Sequence, residues 1–123
     1  MITDKLRELL LEDMSFEESF DSITNQDMIQ FKYGQIWYKK EIIKGVNNGK
    51  PVMKFHMGVA VDQQSRGVGP EMIKSFLNKR GGVFYGERST IVNDNIHKMI
   101  AKIKTDKKYI VTEYEDGITI EKR

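Results

Sequence analysis

Apolar residues recur along this chain with two spacings, one suited to helices and the other to strands. Leu6, Leu9 and Leu10 mark one helical face from about residue 4 to 12, and Ser15 with Glu18 spells a capping box before Phe16, Phe20 and Ile23. Two short helices are therefore expected first. From Ile29 the period becomes two: Ile29, Phe31 and Tyr33 alternate with Gln30 and Lys32, and "QIWYKKEIIKG" and "KPVMKFHMGVAV" follow. Between them lies "VNNG", whose Asn-Gly favours a hairpin turn, so three consecutive antiparallel strands are expected.

The helical period then returns. Pro70 suits the first turn of a helix, Met72, Ile73, Phe76 and Leu77 form its apolar stripe, and Gly81-Gly82 end it. "VFYGERSTI" predicts another strand, and Asn93 or Asp94 can cap a helix carrying Ile96, Met99, Ile100 and Ile103. "YIVTEYEDGITIEK" predicts a closing hairpin around Asp116-Gly117. The order ααβββαβαββ implies an α/β (α+β) fold in which helices cover both faces of a mixed sheet.

The 123 residues are the usual size of one domain, and no repeat, low-complexity tract or linker divides them. Twenty basic and eighteen acidic residues leave a net charge of +2 with no basic tract that demands nucleic acid. The absence of cysteine excludes disulfides and thiolate chemistry, and two distant histidines argue against a zinc site. The opening "MITDKLRELLLEDMSF" has neither the apolar run of a membrane span nor that of a signal peptide, so a cytosolic location is expected, in a cell or an infected host. The seven methionines read as core filler.

The stretch "VAVDQQSRGVGPEMIKSFLNKRGG" carries the most chemistry. A strand passes through Gln64-Ser65-Arg66-Gly67-Val68-Gly69 into a helix, leaving free backbone N–H groups at the positive helix end and glycines where a ligand can approach the backbone. Those features suit an anion or pyrophosphate; an ordinary strand-to-helix turn needing glycine is the plainer alternative. Gln64-x-x-Gly67-x-Gly69, after the third consecutive strand and before a helix, resembles the Gln/Arg-x-x-Gly-x-Gly/Ala motif of the GCN5-related N-acetyltransferases. The segment "IVNDNIHKMIAKI" looks like that family's second conserved segment, with Asn95 as the match, and is also similar to acetyltransferase-like proteins of tailed bacteriophages.

The resemblance implies that Gln64, Ser65, Arg66, Gly67, Val68 and Gly69 hold the pyrophosphate of acetyl-coenzyme A, with Asn95 also on the cofactor. It implies transfer of acetyl to an amine of a small molecule or protein. The family's first strand has no counterpart where the chain opens with helices. Where the family often carries an acid tyrosine, counting from Asn95 gives Lys102, and Tyr109 stands in place of the Gly-Phe expected after that helix.

Acetyl transfer needs a base for the amine and backbone N–H groups to stabilise the developing oxyanion, which points to the strand around Val59 and Val61. His56 alternates away from Phe55, Met57 and Val59, and an imidazole is the side-chain type best suited to act as a base near neutral pH. Glu87 on the next strand is the second candidate base. For both, the plain alternative is a solvated strand residue. The run "QFKYGQIWYKK" interleaves Phe31, Tyr33, Trp37 and Tyr38 with Lys32, Lys39 and Lys40, a pattern that stacks bases in nucleic-acid binders, but its alternation is better explained by core packing. Two functions follow: an acetyl-coenzyme A-dependent N-acetyltransferase, or a catalytically silent protein of similar fold serving as a phage or virion-associated binding module. No membrane partner is expected, and a homo-oligomer is compatible with either.

Overall fold

The computed structural model describes residues 15–59, 67–88 and 94–123, with the side chains of 94–96 left aside. Seven strands and two helices occur among them: β1 Phe16–Asp21, β2 Gln26–Phe31, β3 Gly34–Glu41, β4 Val52–Val59, α1 Val68–Arg80, β5 Val83–Glu87, α2 Asp94–Thr105, β6 Tyr109–Glu113 and β7 Gly117–Lys122. They build a mostly-sheet α+β fold around one seven-stranded sheet in the order β1-β2-β3-β4-β5-β7-β6. Every neighbouring pair is antiparallel except β4 and β5.

The expected order ααβββαβαββ with helices on both faces is corrected in two places. First, Phe16–Asp21 is a strand, paired with β2 from Phe16↔Phe31 to Asp21↔Gln26, where a helix was expected. Phe16 and Phe20 lie four residues apart, a spacing that puts them on one face under either period, so the pattern alone does not discriminate. The turn does. Asp21 Oδ1 accepts hydrogen bonds from the backbone N–H of Ile23 (3.0 Å) and Thr24 (3.4 Å), and Asn25 takes a left-handed φ of 56°. This closes a hairpin. Glu18, read as half of a capping box, forms an ion pair with Arg80 at the end of α1. The chain thus has a strand before β2, and the helix expected over residues 4–12 lies outside the described residues.

Second, both helices lie on one face. Met72, Ile73, Phe76 and Leu77 of α1 and Met99, Ile100 and Ile103 of α2 share one buried cluster with Ile29, Phe31, Ile36, Met53, Phe84, Ile118 and Ile120 of the sheet. Among the described residues, the opposite face carries a small cluster of Val46, Val52 and Tyr85, covered by the β3–β4 connection and Tyr114. The polar alternates explain the one-sidedness: Gln30, Gln35, Lys39, Lys54 and His56 all point away from the helices, and a face made of such residues is stable in water.

The remaining elements follow the sequence pattern. The strands β2, β3 and β4 are consecutive antiparallel neighbours. The Asn-Gly segment adopts positive φ at Asn47, Asn48 and Gly49, forming a single 3-10 turn inside a longer connection. Gly81 caps α1 at a φ of 71°, its N–H donating to the carbonyl of Leu77 at 2.9 Å.

Candidate functional site

β4 occupies the middle of the sheet and parts from β5. The parallel ladder between them consists of Met53↔Phe84 and Lys54↔Tyr85, while β4 continues to Val59, held on its other side by β3 through Gly34↔Val59. Crevices at the carboxyl ends of neighbouring parallel strands, where the chain leaves in different directions, are favoured ligand positions. α1 begins beyond this end of β4, and its first-turn N–H groups lack intrahelical acceptors.

Gly67 is the N-cap of α1 at φ 82°, a conformation that disfavours any side chain. Among the described residues, a Cβ at Gly67 would meet the Lys102 ammonium alone, 3.9 Å away. Lys102, read from the sequence as standing in the place of an acid tyrosine, therefore lies beside the amino end of α1. A cation there is disfavoured by the helix dipole, so an anion close to both would relieve the mismatch. Gly69 serves a different need. A Cβ there would lie 3.1 Å from Met99 Sδ, so the missing side chain lets α2 pack closely on the start of α1. Val68 is 1% exposed within the core, leaving its backbone alone for a ligand. These residues fit a phosphate group: a helix end, a glycine without a side chain and an ammonium beside it.

His56 and Glu87 both stand on the face opposite α1 and α2, across the line where β4 and β5 separate. His56 is exposed and registers with Trp37, whose ring together with Gln35 flanks side-chain-less Gly58 at 3.8 Å from the position of a Cβ. Glu87 is engaged by Lys54: the Lys54 ammonium donates to Glu87 at 2.6 Å and lies 4.0 Å from Glu41. The hydrogen bond to Glu87 raises the Lys54 pKa above that of an ordinary lysine against the opposing effect of burial. Glu87 is thus committed to Lys54, whereas the His56 ring is exposed to solvent.

Tyr109 is placed elsewhere. Its hydroxyl donates to Asn78 Oδ1 at 2.7 Å beneath α1, and burial raises its pKa despite that hydrogen bond. Val59 ends β4 in the crevice, whereas Val61, Gln64, Ser65 and Arg66 lie outside the described residues. Asn95 falls in the first turn of α2, its side chain outside the described set. Sequence reasoning did not single out Lys54 or Trp37 for this site. Their signal was the same alternation that placed His56 away from Phe55.

Among the described residues no group of three or more His, Cys, Asp or Glu side chains is placed to hold a metal ion. No described helix is long and apolar enough to cross a membrane. The chain matches no protein-family model, and no curated protein matches it at a significant level.

Proposed function

We propose that the protein is an acetyl-coenzyme A-dependent N-acetyltransferase acting on an amine. The observation that carries the reading is the start of α1: a glycine N-cap with an ammonium beside it, beyond the strand that parts from its parallel neighbour. Gly67 and the first-turn N–H groups of α1, with Lys102, would hold the phosphates, and the cofactor when bound supplies an activated acetyl thioester. His56 would take the proton from the acceptor amine on the face opposite α1 and α2. Glu87 and Lys54 would act as a fixed pair that keeps charge on that face organised.

Calorimetric titration with acetyl-coenzyme A, using the wild-type chain and Lys102→Gln, tests the seat. Lys102 is exposed, so the variant keeps the fold, and affinity should fall about tenfold on losing one charge-assisted contact. No heat with wild-type protein would refute the reading. Incubating cell extract with the protein and labelled acetyl-coenzyme A then tests turnover: protein-dependent label absent with Lys102→Glu is expected. Tight cofactor binding with no transferred label would instead support the silent binding protein, which the engagement of Glu87 by Lys54 and of Tyr109 by Asn78 favours.

A further inference from the structure

Among the described residues the sheet ends on β1 at one side and on β6 at the other. An outer strand offers its N–H and C=O groups to any further strand, and charged side chains are a common guard against such pairing. β1 is guarded in this way: it carries Glu17, Glu18 and Asp21 and no basic residue, so a second β1 laid against it would gather carboxylates. β6 is not. Tyr109, Ile110, Val111 and Thr112 are uncharged, and its one acid, Glu113, is met by Lys104 of α2 at 2.6 Å.

The charges lie instead beyond the two ends of β6, with opposite sign. Lys107 and Lys108 precede it, Glu115 and Asp116 follow it, and all four are exposed. A parallel neighbour of the same sequence would set like charge on like, whereas an antiparallel one sets the lysines of each copy against the acids of the other. The backbone agrees. Arg123 N–H donates to the Lys108 carbonyl at 2.8 Å and Tyr114 N–H to the Gly117 carbonyl at 2.7 Å, so Lys108 and Tyr114 both turn toward β7. By antiparallel alternation Ile110 and Thr112 also bond β7, while Val111 and Glu113 direct their N–H and C=O groups away from it. Tyr109 N–H donates to the Asp106 carbonyl at 3.1 Å, and its own carbonyl points outward with those of Val111 and Glu113.

We propose that β6 pairs with β6 of a second copy of this chain, antiparallel about a two-fold axis at Val111. Each Val111 exchanges both backbone hydrogen bonds with the other, Glu113 N–H reaches the Tyr109 carbonyl across the axis, and Ile110 faces Thr112 on the side opposite α1 and α2. Lys107 and Lys108 of each copy then stand beside Glu115 and Asp116 of the other. A strand of five residues makes a small interface, so a Kd between about 10 µM and about 1 mM is expected. The contact uses none of the residues assigned to the cofactor or to the acceptor amine.

Sedimentation velocity of the full chain from about 20 µM to about 1 mM should show a monomer passing into a dimer, weakened by added salt. Over the same range, hydrogen exchange at the Val111 and Glu113 amides should slow about fivefold, with Ile110 and Thr112 unchanged because β7 already holds them. Two charge-reversed variants at exposed positions, Lys107→Glu with Lys108→Glu and Glu115→Lys with Asp116→Lys, should each weaken self-association about tenfold or more, and an equal mixture of the two should restore it. A monomer throughout, a dimer that leaves the Val111 and Glu113 amides unprotected, or variants that associate as well alone as mixed would each overturn the proposal.

Discussion

Replacing Phe76 by alanine tests how the helix layer is fastened to the sheet. Phe76 is 2% exposed, and its ring lies 5.3 Å from that of Phe84, 5.6 Å from Phe16 and 5.8 Å from Tyr38. It therefore joins α1 to β1, β3 and β5 at once. Truncating a buried phenylalanine costs about 3–5 kcal/mol in lost transfer energy and cavity formation. Domains of this kind are stable by only about 5–15 kcal/mol, so the loss is a large share of the whole. The expected result is a fall in melting temperature of about 10 °C or more in thermal denaturation followed by circular dichroism, with Phe76→Leu losing less than about half as much. The three tilted ring pairs should make neighbouring changes non-additive: Phe16→Ala and Phe76→Ala together should cost less than the sum of the two. A loss below about 1 kcal/mol for Phe76→Ala would refute the packing described, because that is the size of an ordinary surface change.

Three further outcomes are expected. Gly67→Ala should destabilise the fold by about 1–2 kcal/mol through its left-handed φ of 82°, with Gly67→Asn losing less, as measured by urea denaturation; equal stability of all three would contradict the N-cap geometry. Asp106 has its pKa lowered by the Lys108 backbone N–H and by the Lys74 ammonium at 3.0 Å. Because its folded value lies below its unfolded value, its stabilising contribution is present above the unfolded pKa of about 3.8 and is lost as pH falls through the folded one. Asp106→Asn should therefore flatten the acid limb of a stability-against-pH curve, and an unchanged limb would count against the contact. For Lys54 the sign reverses: its pKa is raised, so its contribution holds below the unfolded value and fades as pH climbs through the folded one. Glu87→Gln should lower the Lys54 titration seen by NMR at alkaline pH, and no change would show that Glu87 does not hold Lys54 in solution.

Legibility in the sequence followed the physics of periodicity. The stripe Met72, Ile73, Phe76 and Leu77 between Gly67 and Gly81 could be read directly, because helix period and helix ends were signalled by different residues that agreed. β1 was missed since Phe16 and Phe20 share a face in a helix and in a strand alike, and the deciding hydrogen bonds of Asp21 belong to the turn. The polar sheet face was present in the pattern, in Gln35, Lys39, Lys54 and His56, but its meaning depends on where α1 and α2 cross. Sheets covered on both sides have strands that are apolar throughout, and these strands are not. Lys54 and Glu87 are far apart in sequence and meet only because Lys54 registers with Tyr85 across the parallel pair. No local pattern records that register.

The two-pair seam between β4 and β5 has a consequence for how the chain folds. On one side, β1 to β4 form a meander whose contacts are all between successive strands; on the other, β6 and β7 form a hairpin that adds β5 as a third strand. The meander leaf can assemble from short-range contacts, whereas joining β5 to its hairpin and closing the seam each require a loop that spans a helix, and contacts of greater sequence separation slow folding. The seam should therefore form late, as α1 settles across both leaves. Mutational folding kinetics then separates the two: φ-values should be high at Ile36 within the meander and low at Met53 and Phe84, and the reverse ranking would place the parallel pair in the nucleus.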